Sequence, residues 1–190
     1  LSGITKNEIQ KSTSIFFPKN LLELNPKEIE FYLRKKLPIK NVSASRKFFP
    51  PELHLNIIER EPIAFASRVL SNNIEKGMID IEGAWIPLNF INKSKKDKIK
   101  LMIENWNPNK KNDIMLIIKN RSILQSPLQK IKINPLQEIS IKTEDFSSVL
   151  LGSNTERLIE QINKLNKLQK SLPNLLINTK VKIVDLKDPS

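Results

Sequence analysis

The sequence predicts an α+β protein in two parts: a β-α-α-β-β unit over residues 1–62, then a mainly antiparallel β unit with packed helices over residues 63–190. Three observations carry this. Two helical segments come early, each opened by a capping residue. A pair of period-2 runs follows, Val42, Ala44 and Phe48, then Leu53, Leu55 and Ile57, joined by a Pro-bearing loop. Beyond residue 62, short apolar runs separated by turn residues predominate, and one long amphipathic stretch lies near the end.

The opening Leu1-Ser2-Gly3-Ile4 reads as the tail of a strand, and the missing initiator Met makes the chain an expected excised part of a longer protein. Thr5-Lys6-Asn7-Glu8 is a capping-box pattern, which predicts a short helix to about Thr13. Asn25 caps a second helix with Pro26 in its first turn, where the missing N–H costs nothing. Ile29, Tyr32, Leu33 and Leu37 line one face, and Pro38 stops it. The strand pair of residues 42–62 comes next.

Ile63 to Leu70 alternates weakly and runs into the turn residues Ser71-Asn72-Asn73. Glu82-Gly83 lies between two apolar runs, Met78 to Ile81 and Ala84 to Ile86, and predicts a tight turn in which Gly supplies positive φ. Asn109 to Ser126 fits a helix through Ile114, Ile117, Ile118 and Leu124, ended by Pro127. Gln129–Asn134, Glu138–Thr143 and Phe146–Leu151 read as a three-stranded meander. Ser153-Asn154-Thr155-Glu156 repeats the capping box, and Leu158, Ile162, Leu165, Leu168 and Leu172 form one stripe of a helix expected to lie on a sheet. Lys180 to Leu186 is the expected last strand.

Composition narrows the function. The 39% hydrophobic content suffices for packed cores, and no apolar run approaches the roughly 18 residues that span a bilayer. Net charge is +12, yet Lys greatly outnumbers Arg and the basic residues are scattered. The densest run, Lys93 to Lys100, lacks the aromatic and Arg residues that base stacking and bidentate readout favour. It reads as a solvated loop, with contact to an anionic surface as the alternative. With no Cys, thiol catalysis and disulfides are excluded. His54 is the single histidine, and its neighbours Leu53 and Leu55 take the opposite face of the strand, which puts His54 on the solvated side. Nucleophilic triads need an imidazole and find only this one. The carboxylates of Glu59, Glu61, Asp80 and Glu82 could pair for acid/base work on spacing alone, but strand-edge and turn roles suit them better. Four glycines build no phosphate-cradling loop. No catalytic, metal-binding or cofactor-binding residue is assigned, and no cofactor is expected.

The combined wording from Pro38 to Ala64 resembles the FtsQ/DivIB family of bacterial cell-division proteins: the Arg46 after an alternating run, the aromatic-Pro, Leu53-x-Leu55-x-Ile57, and Glu59-x-x-Pro62-x-Ala64. Ile79 to Gly83 and Leu151 to Leu186 are similar to the family's β domain, and the order of the first five elements is similar to a POTRA domain. The resemblance implies a POTRA domain at 1–62 and a β domain at 63–190. It also implies a non-enzymatic divisome scaffold at the division septum, the extracytoplasmic part of a protein with a single membrane span. Its implied partners are FtsB- and FtsL-like coiled-coil proteins, with no specific nucleic acid, and the implied partner-contact residues are Arg46, Lys180, Val181, Lys182, Ile183, Val184, Asp185 and Leu186. Structural roles compete for Arg46, which is expected to pair a carboxylate such as Glu59 across the hairpin, and for Pro62, which fixes the entry into the next unit. Many family members continue into another strand after the equivalent of Asp185-Leu186-Lys187. Here either the last edge is free and takes the partner itself, or the fragment is cut short, or this branch binds differently. The rival readings are a POTRA-bearing module of an outer-membrane assembly or secretion system, and a basic nucleic-acid-binding protein.

Overall fold

The computed structural model describes residues 3–17, 20, 23–71, 73–171 and 183–187. The first unit forms as its caps dictate. In α1 (Lys6–Thr13) the Thr5 hydroxyl accepts the Glu8 N–H at 3.3 Å while the Glu8 carboxylate accepts the Thr5 N–H at 2.7 Å, the reciprocal capping box. In α2 (Pro26–Lys36) the Asn25 side chain accepts the Lys27 N–H at 3.0 Å, and Arg34, Lys35 and Lys36 occupy the negative end. Ile29 and Leu33 of α2 are fully buried with Leu37, Ile39 and Val42, against Leu53, Leu55 and Ile57.

Those last residues belong to an antiparallel hairpin of β1 (Ile39–Lys47) and β2 (Glu52–Glu59), in which Val42 faces Ile57, Ala44 faces Leu55 and Ser45 faces His54. Residues Leu1 and Ser2 of the expected leading strand lie outside the described residues, and Gly3 and Ile4 form no strand. Their amides instead donate to the Glu59 carboxylate at 3.0 and 3.3 Å, fastening the entering chain to the end of β2.

A second, mixed sheet begins at Pro62. Its strands are β3 (Pro62–Leu70), β4 (Asn73–Asp80), β5 (Trp85–Pro87), β6 (Met102–Glu104), β7 (Leu128–Ile133), β8 (Ile139–Thr143), β9 (Ser148–Gly152) and β10 (Ile183–Asp185). Among the described residues the order across the sheet is β10-β9-β8-β7-β6-β3-β4-β5. The expected meander is present, with Ile131 opposite Ile141 and Ile141 opposite Val149. The sheet is less antiparallel than expected, because β6 inserts between β3 and β7 parallel to both, and β10 runs parallel to β9. Sequence alternation does not reveal β6: three residues carry too little pattern.

The helix expected over residues 109–126 is also shorter. A 3₁₀ turn at Pro108–Lys110 leads into α4, which comes after the short α3 (Lys93–Lys96) and spans Lys111–Lys119. The Asn120 side chain ends α4 by donating to the Leu116 carbonyl at 2.8 Å, and another 3₁₀ turn covers Arg121–Ile123. The last helix, α5 (Leu158–Ser171), lies on the sheet as its stripe predicts, with Leu158, Ile162 and Leu165 buried and Leu168 packed beside them; Leu172 lies outside the described residues. Together α4 and α5 bury one sheet face, that of Ala64, Ala66, Ile103, Ile131, Ile141 and Val149. On the other face a small cluster of Met78, Ile86 and Ile91 sits beneath residues 88–99. Gly83 makes the tight β4–β5 turn at φ 71°, donating its N–H to the Asp80 carbonyl at 2.9 Å.

Candidate functional site

The strand edge at the end of the second sheet holds four of the sequence-predicted contact residues. Ile183, Val184 and Asp185 pair with Ser148, Val149 and Leu150, and the Leu186 N–H continues the ladder to the Leu150 carbonyl at 3.0 Å. Lys180, Val181 and Lys182 lie outside the described residues. Because backbone groups alternate along a strand, the Leu186 bond to β9 turns the N–H and C=O of Ile183 and Asp185 to the opposite edge. Among the described residues no strand pairs with that edge. Val184 packs inward against the core beneath the helices, whereas Ile183, 66% exposed, and Asp185 point to the uncovered face.

This edge is held from behind. The Gln161 side-chain amide of α5, 5% exposed, donates to the Leu151 carbonyl at 2.8 Å and to the Leu186 carbonyl at 2.9 Å. One side chain thus bridges β9 and the residue after β10. Lys187 reaches across to Glu138 at 2.8 Å. That contact, with a second hydrogen bond from Asn134, holds the Glu138 carboxyl below its ordinary value of 4.5, and the same contact raises Lys187.

Arg46 lies elsewhere, at the far end of the first hairpin. It is opposite Leu53, with its guanidinium 5.8 Å from the centre of the Phe48 ring. The expected pairing with Glu59 does not form: Glu59 is opposite Ile39, seven residues along β1, which is roughly 23 Å at about 3.3 Å per residue. The structure therefore does not bring Arg46 and β10 into one site. His54 is exposed on the outer hairpin face, 3.0 Å from Glu52.

The joint between the two sheets is an ionic cluster that spacing alone left as four scattered carboxylates. Arg60 donates to Asp80 and, at 3.0 Å, to Glu82, which Lys40 of β1 also meets at 3.4 Å. The other Asp80 oxygen accepts the N–H groups of Glu82 and Ala84 at 2.9 and 2.8 Å. Burial works against the Arg60 charge, but the bonds to Asp80 and Glu82 outweigh it and raise the guanidinium above its ordinary value. Arg60 and Lys40 hold the Glu82 carboxyl below its own. Pro62 opens β3 opposite Asp80, and Ala64 is fully buried in the second core. Asp80, at 3% exposed, and Glu82 are thus fastening groups for the joint, and Glu59 fastens the N-terminal chain. The Arg60–Asp80 pair had no periodic signal, since Arg60 sits between two strands.

Residues 2–60 match the FtsQ-type POTRA domain. No curated protein matches the chain. The match coincides with the two helices and hairpin of the first unit, a division-related protein-interaction module of septal, membrane-associated proteins. Among the described residues no helix is long and apolar enough to cross a membrane.

Proposed function

From an FtsQ-type POTRA domain at residues 2–60, which makes this chain FtsQ/DivIB-like, we propose a non-enzymatic divisome scaffold that links early and late division proteins at the septum. In this reading the chain divides near residue 62 into a POTRA domain and a β domain. It is the extracytoplasmic part of a protein held in the plasma membrane by one span. The POTRA domain recruits the protein, and the β domain docks FtsB- and FtsL-like coiled-coil partners along β10.

The observation that supports the docking surface is the outer side of β10, with which no strand pairs among the described residues, where the N–H and C=O groups of Ile183 and Asp185 suit a partner's strand. Exposed Ile183 adds apolar area beside them, and Lys180, Val181 and Lys182 extend the docking segment in sequence. Arg46 is a second contact, on the recruiting domain.

Ile183→Pro removes an outward donor without removing a bond to β9. Co-purification of the FtsB- and FtsL-like proteins with the tagged full-length protein is expected to fall at least about tenfold, the equivalent of about 1.4 kcal/mol. Undiminished recovery would reject β10 as the docking edge.

A further inference from the structure

The short strand β6 leaves a notch in the second sheet. Its neighbours β3 and β7 begin before it does, Phe65 and Lys130 lying opposite its first residue, Met102. The Leu101 carbonyl still accepts the Phe65 N–H at 2.9 Å, so residues 98–100 lead the chain into the sheet at the start of β6. A cavity of about 500 Å³ opens there, whose lining mixes the cations Lys98, Lys100 and Arg121 with apolar residues such as Leu101, Pro127 and Leu128. No carboxylate lines it. None of the three cations makes a salt bridge among the described residues, although Arg34, Arg60, Arg68 and Arg157 all do.

We propose that this notch binds an acidic, apolar segment of a partner protein, an extended stretch in which Asp or Glu alternates with aliphatic residues. Three cations lining one cavity with no carboxylate among the lining residues select for anions. The aliphatic residues in the same lining select against a purely ionic ligand such as a phosphate polymer, and no aromatic ring lines the cavity to stack a nucleobase. An extended peptide of alternating Asp or Glu and aliphatic residues offers both a carboxylate and an apolar group within every two residues, as a mixed lining requires. The volume lies within the about 300–1,000 Å³ usual for ligand sites. Such a site gives a role to part of the Lys93–Lys100 run. The inference rests on the protein-interaction reading of the chain but not on the β10 edge.

The test is fluorescence anisotropy of the whole chain with a fluorescein-labelled octapeptide of alternating Asp and Leu, at roughly 0.15 M salt. Two triple variants of equal net charge are compared, Lys98→Glu with Lys100→Glu and Arg121→Glu, and Lys6→Glu with Lys27→Glu and Lys35→Glu; all six side chains are exposed. The first is expected to weaken binding about tenfold and the second less than about threefold. An Asp-Ser peptide of the same charge is expected to bind at least about fivefold more weakly than Asp-Leu. Equal losses in both variants, equal binding of both peptides, or capture of phosphatidylglycerol vesicles in place of the peptide would overturn the proposal. Ile183→Pro is expected to leave peptide binding unchanged, so this test and that of the β10 edge can fail separately.

Discussion

Gln161 is the side chain on which the β10 edge most depends. Its one amide nitrogen satisfies two carbonyls on different segments, while its buried Oε1 meets no partner among the described residues. Gln161→Met keeps the length and removes the donor that both carbonyls share, a loss of about 1–3 kcal/mol. A lower urea midpoint and faster hydrogen exchange at Leu186 are expected; an unchanged midpoint and exchange rate would contradict this role. Its place in the helix was open to reading, since residue 161 falls between Leu158 and Ile162 on the inward face. The apolar stripe passes over it because an amide adds nothing to a hydrophobic period. Arg60 follows the same logic. Arg60→Ala leaves the Asp80 carboxylate, 3% exposed, without its cation, and about 3 kcal/mol of destabilisation is expected by denaturant unfolding. A loss below about 0.5 kcal/mol would show the pair to be incidental.

At the scale of elements, capping chemistry was legible in the first two helices, and period in the first hairpin and in α5. The Thr5–Glu8 box, the Asn25 cap, the hairpin alternation and the α5 stripe all became the structures they predicted. Among short elements β6 was not legible, because three residues carry no alternation, and 3₁₀ turns break the helix expected over residues 109–126; β10, also three residues, lies within the strand expected over residues 180–186. The parallel pairings follow from chain return over the sheet, which local alternation does not encode. The last strand also carries a pH dependence. Glu138 has a lowered folded value, so its contribution is complete above the unfolded value near 4.5 and is lost as pH falls through the folded one. Lys187 is raised, so its contribution is complete below 10.5 and is lost as pH rises through its folded value. Protection of the Leu186 amide is therefore expected to be flat between about pH 5 and 10 and to fall outside that window before the fold is lost. Glu138→Gln should abolish the acid limb while sparing the meander; an acid limb that persists in this variant would assign it to another group.

At the scale of the molecule, two sheets with separate cores are joined through Arg60, Lys40 and the turn carrying Asp80 and Glu82. The Arg46 end of the first hairpin and the β10 edge form no common site, an arrangement suited to separate recruiting and docking contacts. The resemblance in residues 38–64 pointed to the first module, and the FtsQ-type POTRA match at residues 2–60 agrees with it. The β10 edge was legible only as a late alternating run, because an edge is defined by the strand that does not pair with it. The ionic joint was not legible, since its partners come from three segments distant in sequence. If the chain is a septal scaffold, its full-length gene product carrying a fluorescent tag should form a band at midcell in dividing cells. Uniform signal around the envelope, or signal over the nucleoid, would contradict a division role.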